Sequence, residues 1–317
     1  MSPNRKFCIF LNGRSGDQGE DERRARLTAL CDAAGVSATI VTPNGKQRLE
    51  DAAREAIRRS QADVIVAAGG DGTIAAVATA AHDAEIPMGV IPQGTFNYFA
   101  RGLGIPEDAE AAIEVLAGGQ LEQVALAEAN GAVFLNNTSL GIYPLILQKR
   151  ESIYARWGRS RIAAYWSVLL TLSGMRRPLR MTITVDGRDI HLRTPLIFVA
   201  NSVFQLDRFN LDGVAALKRG EFALFTARNG STLDLARTAF RLAGGAAQKG
   251  EDFDLVTGRD ITLQTGRKRA LVARDGEKSL MHTPIRIKMR ERPLQVIVPT
   301  PDASTDTTTE RDIAASS

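Results

Sequence analysis

The sequence predicts two domains of different class. The first is an α/β domain, Rossmann-like with a mostly parallel sheet. The second is an all-β, antiparallel, sandwich-like domain carrying a helical insert. Three observations predict this. Up to about residue 124, short apolar runs alternate with stretches of helical spacing, the pattern of βαβ units. Beyond it, short runs are separated by Gly, Asp or Pro turns, the pattern of antiparallel sheets. A chain of 317 residues, 44% hydrophobic, is long enough for about two cores.

In the first half, the apolar run 6–11 predicts a strand ending in the loop Asn12-Gly13-Arg14-Ser15-Gly16. Residues 20–34 have helical spacing through Ala25, Leu27, Leu30 and Ala33. Strands follow over 37–41, 63–67 and 88–91, with helices over 49–60 and from Gly69 to about Asp83. In the second half, strands are expected over 133–136, 181–185, 191–193, 196–200, 222–227, 261–265, 270–274, 285–289 and 294–298. Asp186-Gly187 between alternating runs is a hairpin signal. Helices are expected over 153–173 and 233–242. The boundaries that follow are 1–126, 127–298 with last strands that can return to the first domain, and a tail 299–317. The tail is rich in Thr, Ser and Asp and is expected to be disordered.

Composition narrows the function. With 40 basic against 36 acidic residues, the chain lacks the clustered excess of a nucleic-acid binder. Cys8 lies in an apolar run and Cys31 in a helical pattern, so both read as small core residues and no disulfide is expected. Residues 1–6 are polar and no apolar run reaches about 18 residues, so the expectation is a cytoplasmic protein with room for peripheral membrane contact.

The chemistry gathers at Gly69-Gly70-Asp71-Gly72-Thr73, between a strand and a helix. Glycines let the backbone approach an anion, and free N–H groups at the helix start point at phosphate oxygens. Asp71 would repel phosphate unless a metal ion or a catalytic network accompanies it. A tight strand-to-helix turn with Asp71 as a cap is the plainer alternative. Two more Gly- and amide-bearing loops follow strands of the same sheet, at 12–16 and at Pro92-Gln93-Gly94-Thr95-Phe96-Asn97. Ligands of such sheets sit beyond the carboxyl ends of the strands, where all three loops lie. The Gly-Lys-Ser/Thr of a P-loop is absent.

Together, Asn12 to Gly16, Gly69 to Thr73, 92–101 and the later Asp275-Gly276-Glu277 resemble the diacylglycerol kinase catalytic-domain family, which includes bacterial lipid kinases and sphingosine kinases. The resemblance spans about 6–298. It implies an ATP-dependent lipid kinase that uses Mg²⁺ and a lipid substrate. ATP contacts would fall on Asn12, Gly13, Arg14, Ser15, Gly16, Thr42, Gly69, Gly70, Asp71, Gly72, Thr73, Thr95 and Asn97. Asp71 would lie near the ion, and Asp275 and Glu277 would orient or deprotonate the acceptor hydroxyl. On residue types alone, Asp275-Gly276 is also a plain β-turn.

Two departures stand out. The family's Asp after the Asn is Tyr98 here. An Asp-Asp-Gly step that holds a structural ion in many bacterial members is replaced by Leu217-Lys218-Arg219-Gly220-Glu221, so no divalent ion is expected there.

The stretch 149–180 carries Tyr154, Trp157, Tyr165 and Trp166 among basic residues, with Glu151 as its single acid. That composition suits the surface of an anionic membrane, and equally a helix packed on the second domain. An NAD kinase-like phosphotransferase and a catalytically inactive nucleotide- or lipid-binding regulatory protein are the alternatives to the lipid kinase.

Overall fold

The computed structural model of the chain describes residues 5–12, 19–44, 47–141, 144, 178–227 and 253–300. The expected loop residues Gly13, Arg14, Ser15 and Gly16 lie outside the described residues. So do the expected helices over 153–173 and 233–242, most of the basic stretch 149–180, and the tail from 301.

The first domain alternates β1 (Phe7–Leu11), α1 (Glu20–Ala33), β2 (Ala38–Val41), α2 (Leu49–Ser60), β3 (Val64–Gly69), α3 (Asp71–Ala84) and β4 (Met88–Pro92). The helices α4 (Tyr98–Gly102) and α5 (Ala109–Gly118) and the strand β5 (Gln120–Val124) follow. The last strand among the described residues, β18 (Leu294–Val298), returns to complete this sheet in the order β2-β1-β3-β4-β18-β5. All pairings are parallel except β18 with β5. Every residue of β1, β3 and β4 is buried, as strands covered on both faces must be. One face packs on α2 and α3 through Ala53, Ala56, Ile74 and Val77. The other packs on α1 and α5 through Leu27, Cys31, Ile113 and Leu116.

The second domain is a sandwich of two antiparallel six-stranded sheets. Its strands are β6 (Ala127–Ala129), β7 (Ala132–Phe134), β8 (Asn137–Gly141), β9 (Leu179–Val185), β10 (Arg188–Thr194) and β11 (Leu196–Ala200), then β12 (Phe222–Ala227), β13 (Phe253–Gly258), β14 (Ile261–Thr265), β15 (Arg269–Arg274), β16 (Glu277–His282) and β17 (Ile285–Met289). The sheet orders are β10-β9-β14-β17-β6-β7 and β13-β12-β11-β8-β15-β16. Their inner faces meet through Ile183, Leu263, Ile285 and Ile287 on one side and Leu140, Val199, Phe222 and Leu224 on the other. Short helices α6 (Val203–Arg208) and α7 (Val214–Lys218) pack on the outside of the second sheet through Leu206, Leu211 and Phe225.

The alternation in β9, buried at every second residue, and the turn at Asp186 (φ 47°) and Gly187 (φ 82°) produce the β9–β10 hairpin that the sequence predicts. One expected strand is corrected. Residues 133–136 are not one strand: the chain leaves the first sheet after Phe134 and enters the second at Asn137. Leu135 and Asn136 make that step, and their N–H groups belong to neither ladder, so a partner must come from elsewhere.

The domains are joined by two crossings, after β5 and after β17. Arg290, on the second crossing, donates through Nε to Glu128 Oε2 (3.1 Å) and through Nη1 to Asp83 Oδ1 and His82 Nδ1 (both 3.0 Å). With His82 Nδ1 accepting, Nε2 carries the proton and donates to the Arg292 carbonyl at 3.0 Å. The last turn of α3 is thereby fastened to the crossing.

Candidate active site between the two domains

The loops singled out in the sequence converge because β2, β1, β3 and β4 are neighbours that all point the same way. Thr42 follows β2, Asn12 follows β1, Gly70 follows β3 and Gln93 follows β4. Asn12 Nδ2 donates to Thr73 Oγ1 at 2.8 Å, tying the end of β1 to the first turn of α3. Thr73 is buried, so its hydroxyl braces the loop. Gly70 and Gly94 lie back to back: a methyl group on Gly94 would come within 2.8 Å of the Gly70 Cα. Larger residues there would push the two loops apart.

Asn97 closes the second loop. It has φ 49° and is buried. Its Oδ1 accepts from Gly94 N at 2.9 Å, and its Nδ2 donates to the Gly94 carbonyl at 3.0 Å and to Glu107 Oε1 at 2.7 Å. Glu107 also takes Arg101 at 2.6 Å. Thr95 is exposed at the rim of this loop.

Asp71 is the first residue of α3, whose opening N–H groups have no partners within the helix. Burial pushes its carboxyl up, and the N–H groups of Phe99, Asn97 and Tyr98 at the start of α4 pull it back. Its Oδ1 is buried without a hydrogen-bond partner. That oxygen fits a cation or a donor brought in with a ligand. No group of three or more His, Cys, Asp or Glu able to hold a metal exists among the described residues. One carboxylate oxygen is an incomplete set for a hard cation, so an ion such as Mg²⁺ would have to take its other ligands from phosphate oxygens and water.

The second domain contributes the turn Asp275-Gly276 between β15 and β16, with φ 46° and 85°. Asp275 is the partner that the sheet-to-sheet step requires. Its Oδ2 accepts from Leu135 N (2.7 Å), and its Oδ1 accepts from Asn136 N (2.8 Å) and Asn137 N (3.1 Å). Burial raises its carboxyl to about 6, against the pull of those three N–H groups, and the charge of Asp71 adds to the rise. Glu277, two residues on, is exposed and lies against Gly72 of α3, where a methyl group would collide with its Oε1. The structure thus brings Asn12, Thr73, Gly72 and Glu277 together, and sets Asp71 within electrostatic reach of Asp275. Thr42 stands two strands from β3.

Tyr98, where the resemblance expects Asp, begins α4. Its ring stacks on Phe96 (5.5 Å between centroids, 6° between planes) and meets Phe204 at 6.4 Å and Phe209 at 6.1 Å from the second domain. Burial raises the phenol, while the charge and hydrogen bond of Arg208 lower it. Phe204, Arg208 and Phe209 were not singled out in the sequence, because the short helix that carries them has no periodic run to reveal it. Nearby, Asn137 Nδ2 donates to Gln205 Oε1 at 3.0 Å, both residues buried. Arg219 pairs with Glu221 through Nε (3.1 Å) and Nη2 (2.9 Å) before β12.

Comparison with known proteins points the same way. The family model described as the diacylglycerol kinase catalytic domain matches residues 6–129. A Staphylococcus haemolyticus protein named "Putative lipid kinase SH2167" is 30% identical over 250 residues, covering 75% of this chain and 77% of that one. A protein of Bacillus subtilis named diacylglycerol kinase is 29% identical over 237 residues, covering 73% and 76%. A crystal structure described as a diacylglycerol kinase from Bacillus anthracis superposes with a TM-score of 0.67, covering 94% of this chain and 97% of that one. At 20% identity it speaks for the fold alone.

Proposed function

This chain belongs to the diacylglycerol kinase catalytic-domain family, and on that premise we propose that it is an ATP-dependent kinase transferring the γ-phosphoryl group to a lipid hydroxyl of diacylglycerol type. The observation that carries this reading is the contact of Glu277 with Gly72. It sets a carboxylate of the second domain at the helix start where phosphates would bind.

In this mechanism the opening N–H groups of α3 and the loops at Asn12 to Gly16, Gly69 to Thr73 and Thr95 hold the nucleotide phosphates. Asn97 keeps its loop closed. Asp71 Oδ1 would face Mg²⁺, which when bound neutralises phosphate charge. Glu277 accepts the proton of the acceptor hydroxyl as it attacks, since its carboxylate is exposed and lies beside the helix start. Asp275 is committed to three backbone N–H groups, so it positions the turn that delivers Glu277. The acceptor enters from the second domain, past the segment 136–141. Lipid binding at a bilayer and peripheral membrane contact through 149–180 belong to the same reading.

The test incubates the purified chain with γ-labelled ATP, Mg²⁺, lipid acceptors in mixed micelles, and NAD. Label in a lipid supports the kinase proposed here. Label in NADP assigns an NAD kinase instead. ATP binding without transfer to any acceptor assigns a regulatory protein.

A further inference from the structure

In the β9–β10 hairpin the register sets Arg180 directly opposite Arg193. Both residues are exposed, and neither has an ion-pair partner among the described residues. Like charges facing each other across a strand pair destabilise it. The pair borders an open depression of about 600 Å³, shared with Thr182, His191, Gln264 and Thr265. No carboxylate is among the described residues that line it. The adjoining turn adds Arg267 and Lys268, both exposed.

The depression lies at the far end of the sandwich from Asp275. Asp275 binds the start of β8 at Asn137, whereas β9 and β10 meet at Leu179 and Thr194, next to Leu196, which pairs with Gly141 at the end of β8. Along a strand that separation is roughly 15 Å, so this is a second place on the molecule, apart from the Gly72–Glu277 contact.

We propose that the Arg180–Arg193 pair is a binding site for the phosphate of an anionic phospholipid headgroup, holding the second domain on a bilayer surface. Two guanidinium forks turned to one phosphate replace the repulsion with charge-assisted hydrogen bonds. Thr182 and Gln264 supply neutral polar groups beside them. In sequence, the stretch 149–177 that precedes β9 has seven basic residues against Glu151 alone. The choice of a lipid phosphate over a free one rests on the lipid-kinase reading, whereas the need of the pair for an anion does not.

The test is co-sedimentation of the full chain with phosphatidylcholine vesicles, with and without phosphatidylglycerol, for wild type and for the double variant R180Q/R193Q. Transfer to lipid in micelles free of anionic lipid is measured alongside. Wild type is expected on the phosphatidylglycerol vesicles alone. The double variant is expected to lose about twenty-five-fold in vesicle affinity, about five-fold per arginine. Its micelle transfer should be unchanged, and it should melt no lower than wild type. Equal vesicle binding by the double variant overturns the proposal. Release of wild type from vesicles by millimolar inorganic phosphate, at constant ionic strength, makes free phosphate the ligand and overturns the lipid assignment. If wild type transfers nothing in micelles while vesicle binding still depends on the pair, the kinase reading fails and this one stands.

Discussion

Glu277 of the second domain lies against Gly72 in the first turn of α3, with its Cδ 3.0 Å from where a side chain at Gly72 would begin. The two domains touch here at the point where phosphate chemistry is expected. The obstructing atoms are the end of a flexible side chain, so Gly72→Ala should fold with little loss of melting temperature. The carboxylate should swing away, and phosphoryl transfer should fall. Glu277→Gln keeps the shape and removes the base, and should lower kcat by about 10²- to 10⁴-fold, read from labelled-ATP kinetics. Full activity in Glu277→Gln would remove it from the mechanism.

Asp275 makes a prediction about pH. Its carboxyl titrates near 6 in the folded chain against an ordinary value of 3.8. The folded state therefore binds the proton more tightly. The group's contribution to stability is fully present below about pH 4 and is lost as pH rises through about 6. Asp275→Asn should flatten that part of the stability curve, measured by urea unfolding from pH 4 to 7. It should also destabilise the chain by about 1–3 kcal/mol, because an amide cannot accept from all three N–H groups as the carboxylate does.

Asn97 combines a left-handed backbone with a buried amide that makes three hydrogen bonds. Asn97→Ala strains φ and strands Gly94 N. A loss of about 2 kcal/mol in unfolding free energy is expected, with weaker ATP binding in a titration. A variant of wild-type stability and ATP affinity would show that the loop closes without it.

Tyr98→Phe keeps the ring among Phe96, Phe204 and Phe209 and removes only the bond to Arg208. It should cost about 1 kcal/mol. Tyr98→Asp places a charge inside that cluster and near Asp71, and should lower the melting temperature markedly more. A melting curve of each variant distinguishes a packing role from a chemical one, since a chemical role predicts loss of transfer in Tyr98→Phe at unchanged stability.

Arg290→Ala removes bonds to Glu128, Asp83 and His82 at once and leaves Glu128, mostly buried, without its near guanidinium. The pairs with Asp83 are partly screened by solvent. A loss of about 2 kcal/mol is expected, read as a lower urea midpoint with an unchanged slope.

The sequence was informative where a residue's local surroundings decide its fate. Strands covered on both faces read as continuous apolar runs, and the loop at Gly69 to Thr73 showed its glycines. The hairpin at Asp186-Gly187 was legible because two positive φ angles demand that pair. Asp275-Gly276 has the same conformation, so its turn was legible while its three N–H donors, some 140 residues away, were not. The change of sheet between Phe134 and Asn137 hid inside one apolar stretch. Arg208 met Tyr98 only through the packing of two short helices. Pairing across such distances leaves no local pattern to read.

The return of β18 has a consequence for how the protein is made. On the ribosome, β4 emerges with a bare edge, and β5 has no strand to lie beside until residues 294–298 follow. The sheet that carries the phosphate loop is therefore finished last, after the whole sandwich has been synthesised. A chain cut short before β18 would leave the edges of β4 and β5 unpaired in this sheet.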